Sequence, residues 1–267
     1  MDRSLYKISN LNQMDPFLMT ITSGSDHWMY LSSTGCLTAG RIKAEYALFP
    51  YVTDDLLHRN GHFTGPVTVI RINDGDKNLL WRPFSIYDES YEKECNLYKN
   101  SLGDTVIFEE INKSLGLTFL YKWQSSTKYG FVRKSKLINN SQKILNVELI
   151  DGLQNIMPAN IELRTQQGMS NLANAYKVSE YTPDTNCALF FLNALLMDRP
   201  EPGESLYTNI IWSYYGGEKI ISLSEKDIVR FTNDGTFNGT HIIKGKPGCF
   251  LTKIKENINP NNEIYWY

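Results

Sequence analysis

The chain has 267 residues, 42% apolar and 21% charged, which suits a folded globule with a full hydrophobic core and excludes a disordered chain. Its 27 basic and 29 acidic residues leave a formal net charge of -2 with no clustered basic stripe, so no nucleic-acid partner is expected. The longest apolar run, 187–197, is interrupted by Asn193 and is far too short to span a bilayer, so no membrane partner is expected either.

The start of the chain, MDRSLYK, lacks the apolar core of a signal peptide, and the expected location is cytoplasmic. The run LSSTGCLTAGR at 31–41, followed by ALFPY at 47–51 and TDD at 53–55, mixes Gly, Ser, Thr, Arg, Asp and aromatic residues. It reads as neither a regular strand nor a regular helix, and such a loop is a natural place for docking or binding. Arg41, Asp54 and Asp55 are its candidate polar groups. A turn of helix is expected near Asp54 to His58.

His58 and His62 are four apart and would share one face of a helix. The turn dipeptide Asn60-Gly61 between them argues against a continuous helix, and no neighbouring carboxylate or cysteine completes a zinc set. No metal site is expected, and His58 or His62 reads as a loop hydrogen-bonding residue.

Three hairpins are expected next. Residues 67–72 and 79–84 flank the turn Asp74-Gly75; 105–111 and 117–123 flank 112–116; 131–138 and 144–150 flank 139–142. In each arm apolar and polar residues alternate, the mark of a sheet with one buried face. Further strands are expected at 188–195, 205–214 and 250–255. A short helix is expected at 170–177, and another begins at Ser224, with Ser224 as N-cap and Asp227 three positions on. The pattern as a whole is mainly β, one large antiparallel sandwich with a few short helices, in a single domain over 1–267. The widely spaced cysteines Cys36, Cys95, Cys187 and Cys249 read as free thiols rather than a disulfide framework.

Catalytic signatures are sparse. Glu109 and Glu110 are adjacent on a strand, point to opposite faces and cannot act as a pair. Asp54 and Asp55 suit hydroxyl binding or helix capping equally. No Gly-x-Ser-x-Gly elbow or Gly-rich phosphate loop occurs, and no acid can be assigned a catalytic role. No cofactor is expected. Trp81 beside Arg82 has the makings of a sugar platform, an apolar ring next to a fork of donors, although strand alternation favours Trp81 in the core with Arg82 outside. DGLQN at 151–155 reads as the polar end of a strand.

Taken together, LSSTGCLTAGR, ALFPY, LYKN at 97–100, VIFEE at 106–110, YGFVR at 129–133, DGLQN, NLANAYK at 171–177 and MDRPEP at 197–202 cover most of the chain. They resemble the N-terminal β region of large bacterial proteins related to cellobiose phosphorylase, of glycoside hydrolase family 94 type. The resemblance implies a supersandwich of the galactose-mutarotase-like type, the N-terminal part of a larger carbohydrate-active protein. Its expected partners are a carbohydrate and a C-terminal (α/α)6 barrel, and a homodimer is compatible with it. In that family the barrel carries the catalytic acid and the phosphate site, so no catalytic residue transfers to this chain. Arg41, Asp54, Asp55, His58, Trp81 and Arg82 are the expected carbohydrate-binding or interface residues. An aldose epimerase and a free-standing lectin-like module are the alternative readings.

Overall fold

The computed structural model describes residues 4–52, 55–75, 77–85, 90–196 and 203–267. Among them the protein is mainly β, with antiparallel pairing throughout and four short α-helices. The largest sheet runs, in spatial order, Leu5–Ser9, Lys93–Asn100, Thr105–Asn112, Leu117–Ser126, Gly130–Asn139 and Glu263–Trp266. A five-stranded sheet follows the order Ile220–Ser222, Gly248–Ile258, Leu145–Ile156, Gly65–Asp74 and Lys77–Trp81. Thr208–Trp212, Cys187–Leu192, Lys177–Thr182 and Ile242–Lys244 make a four-stranded sheet, and Leu18–Ile21, His27–Ser32 and Leu37–Arg41 a three-stranded one.

Alternation explains how the two larger sheets meet. Leu117, Phe119, Tyr121 and Trp123 share one side of their strand and are at most 3% exposed. Val147 and Leu149 do the same in the five-stranded sheet, and both sets belong to one core with Ile70, Val106 and Phe108. Removing each such side chain from water stabilises the fold by about 1.5–3 kcal/mol. On the opposite face of Leu145–Ile156, Ile150 packs with Val69, Leu251 and Phe231, the last from helix Lys226–Asp234. That strand is therefore buried on both faces. Two buried acids tie the sheets together from within: Glu110, which accepts the Trp81 indole N–H at 2.7 Å, and Asp151.

The first two expected hairpins form, in antiparallel register. The third does not. Gly130–Asn139 pairs with Leu117–Ser126 and Glu263–Trp266, whereas Leu145–Ile156 pairs with Gly248–Ile258 and Gly65–Asp74. The Asn139 amide donates to the carbonyls of Lys143 and Ile258, and its oxygen accepts from Ser141, stabilising an arch from one sheet to the other. Leu137 and Leu149 then meet across the core instead of lying side by side.

The run 31–41 is also not an irregular loop. It is a hairpin, with Leu31 and Ser32 ending His27–Ser32, a turn at Gly35 (φ +90°), and Leu37–Arg41 returning. Cys36, Leu37 and Ala39 are fully buried. Gly40 has no room for a side chain, since a Cβ would lie 2.5 Å from the Trp28 ring and 2.8 Å from the Ala47 Cα.

The helix expected at Ser224 is Lys226–Asp234, without a side-chain cap from Ser224; the buried Asp227 carboxylate instead accepts from the Ser222 hydroxyl at 2.7 Å. Helices Asp55–Arg59 and Ser170–Tyr176 match the two other helical expectations. All four cysteines are free. No helix among the described residues is long and apolar enough to cross a membrane.

Candidate functional site

One cleft of about 450 Å³, within the range of small-molecule sites, opens where the six-stranded, five-stranded, four-stranded and three-stranded sheets converge. Its floor is an ion pair. Arg133 enters from Gly130–Asn139 and Asp151 from the middle of Leu145–Ile156, with side chains 9% and 4% exposed. The guanidinium meets the carboxylate twice, Nη2 to Oδ1 at 2.9 Å and Nη1 to Oδ2 at 3.2 Å. Thr68 donates to Oδ1 at 2.6 Å, Ser135 to Oδ2 at 3.0 Å and the Trp266 indole to Oδ2 at 2.6 Å. A buried carboxylate is tolerated only when paired and hydrogen-bonded, and Asp151 is both. Arg133 also stacks 4.6 Å above the ring centre of Tyr121 and donates to the Gly152 carbonyl at 3.2 Å. Gly152 itself must be glycine, because a Cβ would fall 2.0 Å from the Phe250 carbonyl oxygen.

The walls are aromatic. Tyr129 meets Trp212 edge-on at 5.9 Å, and Tyr46 lies 6.4 Å from Tyr207. Tyr129 and Tyr207 are more than half exposed, so their rings are open at the mouth. His27 lines one side; its Nδ1 lies between the hydroxyls of Ser25 (2.9 Å) and Ser125 (3.2 Å), and desolvation holds its basicity below the usual value.

Of the residues singled out from sequence, Arg41 alone lines this cleft. It stands at the rim, paired through Nε and Nη2 with the Asp26 carboxylate at 3.0 and 2.8 Å, a hydrogen bond that holds Asp26 below the usual carboxylate range. Asp54 lies outside the described residues, and Asp55 opens helix Asp55–Arg59. His58 bonds the Ser32 hydroxyl at 2.6 Å, but it does so from helix Asp55–Arg59 rather than from a loop. The helix ends at Arg59, before Asn60-Gly61, and no group of three potential metal ligands occurs among the described residues.

Trp81 is 1% exposed, which removes it as a sugar platform, while Arg82 is exposed beside a separate depression lined by Asn78 and Tyr91. DGLQN forms the C-terminal end of strand Leu145–Ile156, with a bulge at Asn155 (φ +56°), and its Asp151 is buried in the ion pair. Sequence reasoning missed Arg133 and Asp151 as a pair, yet a signal was present. Each is a charged residue at an inward position of a strand, of opposite sign, and YGFVR and DGLQN carry them.

Chemically, the arrangement is a cleft with aromatic walls and a hydrogen-bonded, charge-paired floor. Among the described lining residues Asp151 is the one carboxylate side chain, and five hydrogen bonds occupy its oxygens. A general base needs a free lone pair within reach of a substrate proton, which Asp151 does not offer. No protein-family model matches the chain, and no curated protein sequence matches it.

Proposed function

We propose that this chain is a non-catalytic, carbohydrate-associated β-domain that holds a sugar in the cleft above Arg133 and Asp151. The observation that carries the reading is the combination of open aromatic walls at Tyr129, Trp212 and Tyr207 with a polar floor. Sugar rings offer an apolar C–H face and a rim of hydroxyls, and stacking aromatics beside fixed donors match both. The saturated state of Asp151 favours binding over acid–base chemistry, and for the same reason an aldose epimerase fits less well.

The resemblance to cellobiose-phosphorylase-like proteins extends this proposal. The fold would be of the galactose-mutarotase-like supersandwich type, and the chemistry would reside in an (α/α)6 barrel of a larger protein. The cleft rim, with the exposed Ile42 and Ile210 beside Arg41, would then face that barrel or shape its oligosaccharide channel. A glycan panel tests the reading. The purified chain should bind one or more oligosaccharides, lose that binding on Trp212→Ala, and release no sugar 1-phosphate from β-glucosides in phosphate buffer. Release of sugar 1-phosphate would sink the non-catalytic assignment.

A further inference from the structure

Arg133 and Trp123 are direct cross-strand partners in the antiparallel pair Gly130–Asn139 and Leu117–Ser126, so they project from the same face of the sheet. Both line the cleft. The Arg133 side chain is 9% exposed and Trp123 2%. Each nevertheless carries a buried N–H, Arg133 Nε and Trp123 Nε1, that meets no acceptor among the described residues. Buried donors are almost always paired, because an unpaired one loses its hydration with nothing in return. Two of them on adjacent residues of one cavity call for an acceptor that a ligand brings.

Charge and valence narrow that acceptor. Asp151 already neutralises Arg133 through two N–H contacts. A ligand carboxylate or phosphate would place a second anion beside Asp151, while the other lining cation, Arg41, is already paired with Asp26 at the rim, and burial penalises unbalanced charge. A hydroxyl accepts but must also donate. At this floor the Asp151 oxygens are already occupied. A carbonyl oxygen accepts two hydrogen bonds and donates none.

We infer that the cleft recognises a neutral sugar through a carbonyl oxygen, that of the acetamido group of an N-acetylated hexosamine, held jointly by Arg133 Nε and Trp123 Nε1. The inference rests on the carbohydrate reading above and names its ligand class. The acetamido methyl group packs against the aromatic wall, and the sugar ring extends toward the open mouth at Tyr129.

Isothermal titration of the whole chain with glucose, N-acetylglucosamine and glucuronate, the last two each differing from glucose in one substituent, tests it. N-acetylglucosamine is expected to bind about ten-fold or more tighter than either, the scale of discrimination set by paired against unpaired buried donors. Trp123→Phe removes the N–H together with part of a buried ring, so the ratio between sugars is read rather than the absolute affinity; that preference should fall to roughly three-fold or less. Equal affinity for N-acetylglucosamine and glucose, tighter binding of glucuronate, or an undiminished preference in a folded Trp123→Phe chain overturns the acetamido assignment and leaves the carbohydrate reading standing. Binding of none of the three sugars overturns both. Should Trp123→Phe fail to fold, the ranking of the three sugars by the unaltered chain decides.

Discussion

Asp151 shows how a single residue carries both fold and site. It sits at an inward position between apolar neighbours, where its charge is tolerated because Arg133, Thr68, Ser135 and Trp266 surround it. Removing one member of such a pair strands the other. Asp151→Ala should cost about 3–5 kcal/mol in urea unfolding, and the double change Asp151→Ala with Arg133→Met should cost clearly less. A loss under about 1 kcal/mol for the single change would show that the pair is not stabilising as drawn. Trp81→Phe makes a contrast. It deletes the donor to Glu110, should cost about 1–3 kcal/mol, and should leave glycan affinity untouched, because Trp81 lies in the core and outside the cleft.

Lys177 adds a pH signature at the same scale. It is 6% exposed, its ammonium lies 3.8 Å from the Met157 sulfur, and burial pushes its pKa down from 10.5 to about 8. Between those values the unfolded chain binds more protons than the folded one, so stability should rise with pH from about 8 to 10.5. Lys177→Met should flatten that rise and raise stability at pH 7, which urea melts of both chains at pH 7 and pH 10 would read. Equal pH slopes for the two chains would refute a depressed Lys177.

At the scale of elements, turn chemistry and alternation located strands well and partners less well. Both hairpins form, but the first turns one residue later than the expected Asp74-Gly75, since Asp74 itself pairs with Lys77, while the second closes at the turn ending at Gly116 (φ +64°). The turn at 139–142 looked the same in sequence but bridges two sheets. Alternation reports which face is buried, and says nothing about whether the next strand lies beside it or across the core. The run 31–41 failed for a related reason. With Cys36, Leu37, Thr38 and Ala39 all buried, the period-two pattern vanishes although the backbone is a strand. The site was legible only in pieces. Arg41 was found by its loop-like context, whereas pairing Arg133 with Asp151 needed the arch that sequence did not reveal. One element also has a clear energetic role. Phe231, fully buried, seats helix Lys226–Asp234 on the outer face of the five-stranded sheet. Phe231→Ala should cost about 3–5 kcal/mol by chemical denaturation, and a cost below about 1 kcal/mol would mean the helix is not anchored there.

For the whole molecule, four antiparallel sheets converge on a cleft whose polar floor, Arg133 with Asp151, is built into the core. Rigid elements hold binding groups in place without an ordering cost at the moment of binding. That rigidity is what the proposed sugar-binding role would require of the cleft.

The five tryptophans allow this to be tested at residue resolution, because Trp123, Trp212 and Trp266 line the cleft while Trp81 and Trp28 do not. In a 15N-labelled chain titrated with N-acetylglucosamine and with cello-oligosaccharides, the indole N–H signals of Trp123 and Trp212 should move in a saturable way, and that of Trp81 should stay fixed. Saturable shifts confined to Trp81 and Trp28, or no shift of any indole signal at millimolar sugar, would contradict a carbohydrate site in this cleft.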